Sequence, residues 1–357
     1  AVAALPQWVP YSLKILAAQS LQYTDKPQRC LDTLYKMKHL LKEPEKIKWQ
    51  NSLNIALANV FTRQKEWRMA LSALDEILQN LESTLDYEFS TLHSSKNLLA
   101  TADKDKSTTH SQHQQQQQRR ALLAAAKIEI LSRQGRIFLQ VGALSEASTI
   151  FQRAKQEQPH IVAATNANAL ENHNAAATNA LTDAAEALSL SSFASPTQIL
   201  RRHDALLAHA PTQLLVNDAL LYFANDQYDR AMEAFTAAVD HHRFVISAAA
   251  GENSVPSSLV TPGLALAPPD HVISSCLNNT ALCALYTCRM HHAVSMMESL
   301  VREDPTEYLT EPLAFNLCTL YELGSDNAVS GRKKMVLQTV AKRFFLHDVS
   351  AESFRIN

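Results

Sequence analysis

The stretch GRIFLQVGALSEASTIFQRA, residues 135–154, sets small residues against large apolar ones at helical intervals. No other feature limits the fold of the chain so tightly. Gly135 and Phe138 are three apart and share one helix face. Gly142 is placed to end that helix, because glycine takes the left-handed conformation of a helix terminus without strain. Ala147, Phe151 and Ala154 then fall at i, i+4 and i+7, one stripe of a second helix. Pro159 stops it. The spacing predicts a helix hairpin in which Gly135 and Phe138 are buried against the following helix.

The template recurs. It finds Ala219, Tyr222, Tyr228, Ala231, Phe235 and Ala238, and again Ala281, Ala284, Met290, Ala293, Met297 and Pro305. Upstream it finds Ala58, Phe61, Trp67, Ala70 and Leu74, and more weakly Ala18, Leu21, Cys30 and Leu34. A last hairpin, FNLCTLYELGSDNAVSGRKKMVLQTVA, keeps its first helix and then drifts, as terminal repeats do. A small residue, an aromatic, then Ala, aromatic, Ala and a closing Pro over about 34 residues is the tetratricopeptide pattern. The expected fold is all-α, an α-solenoid of tetratricopeptide-like helix hairpins with long polar inserts. It forms one array over 11–356, with units at 11–44, 51–84, 128–160, 212–243, 274–306 and 311–345. Glycine usage agrees: the chain has 6, where average usage would give roughly 25. Open α/β sheets and phosphate-binding loops consume more.

The anchors Cys30, Ala70, Ala147, Ala231 and Ala293 are unevenly spaced, and three inserts, at 90–122, 162–200 and 246–270, account for this. The first is polar, with a glutamine tract at 114–118 that reads as a solvated linker. The second is Ala/Asn-rich, and the third holds a Pro/Gly/Ser cluster. Each falls between one hairpin and the next, where loop-closure entropy grows only with the logarithm of length. All three are expected to be mobile loops without a core role.

Chemistry is sparse. Cys276, Cys283, Cys288, His291 and His292 are near one another, but their gaps do not suit a zinc knuckle, and packing explains the cysteines. His241 and His242 follow a helix expected to end at Asp240 and read as a solvated helix end. Glu303, Asp304 and Glu307 read as a charged turn between repeats. No nucleophile elbow, P-loop, HExxH or dinucleotide fingerprint occurs. The expectation is a protein without catalytic, metal or cofactor sites. A formal charge of -2 without a long basic run argues against nucleic acid. The apolar run LLVNDALLYF is broken by Asn217 and Asp218 and cannot span a bilayer. Five cysteines without paired spacing fit a reducing compartment, with the cytosol as default. The opening AVAALPQWVP does not read as a signal peptide, and without an initiator Met the chain is expected to be a fragment of something longer.

Chaperone-binding tetratricopeptide domains clamp a terminal carboxylate with Lys, Arg and Asn on the groove-lining face of their first helices. Here that face carries Ile55, Asn59 and Thr62, then Ser132, Arg136 and Leu139. Further on it carries Val216, Leu220 and Phe223, then Asn278, Leu282 and Leu285. Asn59, Arg63 and Arg136 are too scattered for a clamp. The second half is apolar, and Val216, Leu220, Phe223, Leu282, Leu285 and Tyr286 are the candidate partner-binding residues. The segment KKMVLQTVAKRFF is expected to cover part of them as a capping helix.

VPYSLKILAAQSLQY with LDTLYKMK, SRQGRIFLQVGALSEASTIF and above all DPTEYLTEPLAFNLCTLYEL resemble the subunit-twelve family of the transport protein particle (TRAPP) complex. These are tetratricopeptide-repeat subunits of the metazoan TRAPP III form. The resemblance runs from about Val9 to about Leu323, interrupted by the inserts. It implies a non-catalytic scaffold or arm subunit of a Rab exchange and tethering complex in ER-to-Golgi transport and autophagy. Its partners would be other TRAPP subunits, chiefly the large arm subunits, with a Rab-type GTPase linked indirectly. The implied location is cytoplasmic, peripheral at ER–Golgi intermediate and Golgi membranes. A free-standing tetratricopeptide adaptor or co-chaperone, holding a peptide or helix in its groove, is the alternative.

Overall fold

The computed structural model describes residues 9–24, 28–43, 45–99, 108–162, 196–249 and 272–355. Among them every regular element is helical. The fold is the expected all-α one, built from tetratricopeptide-like hairpins. The chain divides within a helix, between Leu214 and Leu215, into two compact units.

The first unit holds α1 (Tyr11–Ser20), α2 (Gln28–Leu40), α3 (Glu45–Arg63), α4 (Trp67–Leu99), α5 (Thr108–Val141) and α6 (Leu144–Gln156), with the start of α7 (Pro196–Ala224). Consecutive helices pack on one another from α1 to α6. The anchors Ala18, Cys30, Leu34, Ala58, Ala70, Ala147 and Ala154 are all buried. The second unit holds the rest of α7, then α8 (Tyr228–Ala249), α9 (Val272–Tyr286), α10 (Met290–Glu303), α11 (Pro305–Tyr308), α12 (Glu311–Gly324) and α13 (Asn327–Arg343). Its anchors Ala219, Ala231, Phe235, Ala281, Ala293 and Met297 are wholly buried.

One corner closes four of the hairpins. The residue four places after the first-helix aromatic (or its substitute) adopts positive φ: Lys65 at 62°, Gly142 at 82°, Asp226 at 59° and Cys288 at 61°. The next amide donates back to the carbonyl of that aromatic position. These bonds are Glu66 to Phe61 at 2.9 Å, Ala143 to Phe138 at 2.9 Å, Gln227 to Tyr222 at 2.9 Å and Arg289 to Ala284 at 2.7 Å. This is the Schellman closure of a helix C-terminus. The α12–α13 corner departs from it. Ser325 is extended there, and the Asp326 carboxylate caps α13 by accepting from the Val329 amide at 2.7 Å. The drift read from the sequence is thus a change of turn chemistry. At Gly135 the close approach is literal: an added Cβ would lie 2.1 Å from Phe151 Cε1. Gly135 is buried, while Phe138 is only half-buried.

Two expectations need correction. The first insert is not a loop over 90–122. Helix α4 continues to Leu99 and α5 starts at Thr108, so the glutamine tract lies inside a helix. Ala121 and Leu122 are fully buried. Glutamine is a good helix former, and a polar run costs a helix nothing where it is not asked to pack. Likewise α8 does not end at Asp240 but runs to Ala249, so His241 and His242 lie within it, and His242 is buried. The remaining cores of the inserts, 100–107, 163–195 and 250–271, lie outside the described residues.

Candidate protein-binding surface

The candidate residues all fall in the second unit. Val216, Leu220 and Phe223 stand on α7, spaced by four and three, and Leu282, Leu285 and Tyr286 stand near the end of α9. Ala219 and Cys283, one place from Leu220 and Leu282, point into the core. The candidates therefore stand at its margin. Five of them are half-buried, and Tyr286 is 57% exposed.

The structure brings Phe223 and Tyr286 together and adds a residue that the candidate set omits. Phe223 meets Tyr286 edge-on at 5.8 Å and Tyr228 edge-on at 5.5 Å. Tyr228 and Tyr286 stack at 4.7 Å, 9° from parallel. Tyr228 is legible only as a hairpin anchor; its stack joins the start of α8 to the end of α9 and has no local signal. The Tyr228 hydroxyl donates to Asp226 Oδ1 at 2.7 Å. That bond, with some burial and the charge of Asp226, pushes the phenol up to about 12. Tyr228 is therefore neutral at physiological pH. Arg289 pairs with Asp229 beside it. Aromatic rings of this kind combine apolar area with polar tips, which suits a protein contact better than a charged ligand.

The expected capping segment joins a core against which one candidate, Leu285, also packs. Leu337 and Ala341 of α13 are buried in the same core as Leu313 and Leu317 of α12. The scattered clamp residues are not assembled. Asn59 and Arg63 are exposed, Ser132 is wholly buried, and Arg136 donates to Gln213 Oε1 at 3.0 Å.

Cys276 and Cys283 are buried in the helical core, and Cys288 is exposed at the left-handed corner. Burial pushes the Cys283 thiol up to about 11, away from the thiolate a metal needs. Among the described residues no group of three or more His, Cys, Asp or Glu is placed to hold a metal. Asp304 caps α11, accepting from the Thr306 amide at 2.8 Å and the Glu307 amide at 3.2 Å. Among the described residues no helix is long and apolar enough to cross a membrane.

Comparison with known proteins gives two related matches. The chain is 23% identical over 345 residues to mouse trafficking protein particle complex subunit 12, covering 94% of this chain and 31% of that protein. Against the human protein of the same name it is 23% identical over 343 residues, covering 93% and 33%. The relationship is distant but runs through most of the chain. The chain spans about a third of the length of these relatives. No family model matches. A solved structure, the TPR2AB-domain:pHSP90-complex of yeast Sti1, aligns over 97% of this chain and 96% of its own at 11% identity, with a TM-score of 0.27. That score is too low to carry a binding geometry across.

Proposed function

We propose that this chain is a non-catalytic scaffold subunit of a TRAPP III-type complex, acting in ER-to-Golgi transport and autophagy at cytoplasmic membrane surfaces. The observation that carries the reading is the distant similarity to subunit 12, sustained over nearly the whole chain. The helix hairpins support it, because such arrays present side chains for protein contacts rather than reactive centres. On this reading the six hairpin units form one repeat array. The margin formed by Leu220, Phe223, Leu282 and Tyr286 then takes an apolar helix or loop of a large arm subunit. Nucleotide exchange on the Rab-type GTPase belongs to other subunits. The unassembled clamp residues leave the co-chaperone alternative without a supporting contact.

The test is co-purification of the Phe223→Glu variant with TRAPP subunits, beside a thermal melt of the variant alone. An unpaired carboxylate at an apolar contact is strongly unfavourable. Loss of TRAPP subunits with an unchanged melt is expected. Retention of every subunit moves the contact elsewhere, and wild-type chain that recovers none of them removes the proposed function.

A further inference from the structure

Helix α13 has two faces of different character. Ser330, Lys334, Leu337 and Ala341 are buried on one. At about 100° per residue, the opposite face carries Arg332, Met335, Val336, Thr339, Lys342 and Arg343, all of them exposed. The helix contains no Asp or Glu. Its lysines that turn off this face are paired, Lys333 with Glu298 at 3.1 Å and Lys334 with Glu322. The outward bases are not. Arg332 donates to the Ala328 carbonyl at 3.3 Å and Lys342 to Gln338 Oε1 at 3.5 Å, both within the helix. Among the described residues Arg332, Lys342 and Arg343 have no carboxylate partner. Exposed acids stand beyond the face, Glu303 and Asp304 at the end of α10, and Asp348 and Glu352 after α13. The face is therefore a strip of one sign, about 16 Å long by helical rise. The whole chain carries -2, so attraction to an anion is local to the strip.

Apolar side chains protrude within it. Met335 is 60% exposed and Val336 65%. Just past it Phe345 is 76% exposed at φ 56°, and the next amide, Leu346, donates to the Ala341 carbonyl at 3.0 Å. This is the corner that Lys65, Gly142, Asp226 and Cys288 make in the hairpins, here given to a bulky aromatic, for which positive φ is strained. Burial does not compensate that strain. The ring lies 6.4 Å from that of His347, itself exposed.

The strip chooses among occupants. A second copy meeting it through the same face would set bases against bases. Protein interfaces are depleted in Lys and enclose their apolar core, whereas these apolar side chains stand out from the convex side of a helix. A helix lying at a lipid surface has this pattern: apolar residues enter the boundary of headgroups and acyl chains, and Lys and Arg beside them reach the anionic headgroups.

We infer that the outer face of α13 rests on an anionic phospholipid bilayer. Met335, Val336 and Phe345 enter the headgroup layer, and Arg332, Lys342 and Arg343 meet its anionic groups. The inference stands on α13 and does not rest on the trafficking reading, so a test with lipid alone separates the two.

The probe is a vesicle of equal parts phosphatidylcholine and phosphatidylserine, with phosphatidylcholine alone as control and co-flotation of the full chain as readout. Binding to the mixed vesicle is expected to be at least tenfold tighter than to the control, and to weaken with salt. Lys342→Gln with Arg343→Gln is expected to weaken it about tenfold or more. Lys36→Gln with Arg68→Gln removes two exposed bases elsewhere and should leave it unchanged. Phe345→Gly is expected to weaken binding several-fold with a melt unchanged or raised, because glycine adopts that corner freely. It decides the matter if the Lys342 and Arg343 variant lowers the melt. Equal binding to both vesicles, or to neither, overturns the inference. So does an equal loss in the Lys36 and Arg68 variant, or full binding by Phe345→Gly. A poly-glutamate peptide that binds through Lys342 and Arg343 where vesicles do not also overturns it, and makes the occupant an acidic protein segment.

Discussion

Gly135 shows how much one missing side chain can decide. With any Cβ there, α5 and the Phe151 ring of α6 cannot both keep their places. Gly135→Val is expected to cost about 1–3 kcal/mol by overpacking, read from urea melts. Phe151→Leu in the same chain should recover part of it. The hairpin corners carry the opposite opportunity. Lys65 holds a backbone conformation that glycine adopts freely. Lys65→Gly should therefore gain on the order of 0.5–1 kcal/mol, the relief of strain less the added unfolded-state entropy. A lower midpoint in that variant would mean that the Lys65 side chain is needed. His242 sets a pH dependence. Burial, aided by His241, holds its imidazole below the ordinary 6.5. The unfolded chain then takes up the proton first, so stability falls as pH drops below 6.5, until the folded value is passed. Melts from neutral pH to about pH 5 should show this slope in the wild type and lose it in His242→Gln.

Among the elements, hairpin pairing was legible because it is local: anchors four and three apart report one buried face, and the corner follows them at fixed distance. What was not legible depends on partners distant in sequence. The polar composition of 90–122 argued for a loop, yet Glu88 and His203, each 2% exposed, meet at 2.7 Å between α4 and α7. Phe89 stacks on that imidazole at 5.9 Å. No window of sequence shows that a carboxylate so near a polar insert will be buried against a histidine 115 residues away. Glu88→Ala should cost on the order of 1–3 kcal/mol, since it removes the buried acceptor of His203. Thermal denaturation checks it. The candidate surface shows the same division. The α7 stripe follows from spacing, whereas the Tyr228–Tyr286 stack depends on where α8 and α9 come to rest.

At the scale of the molecule, the purified chain should not accelerate nucleotide release from a Rab-type GTPase, because the scaffold reading places exchange in other subunits. Fluorescent-nucleotide release at matched concentrations tests this, and acceleration by the chain alone would contradict it. The place of the glutamine tract has a genetic consequence. The tract lies near the start of α5, upstream of Arg119, whose guanidinium pairs with Asp86 at 2.6 Å, and of the buried Ala121 and Leu122. Repeated glutamine codons gain and lose copies during replication. A glutamine added before Arg119 lengthens α5 at its outer end by about 1.5 Å and turns the residues before it by about 100°. The register of everything after it stays fixed. Alleles differing in tract length should fold alike, and the same number of residues inserted after Leu122 should not be tolerated.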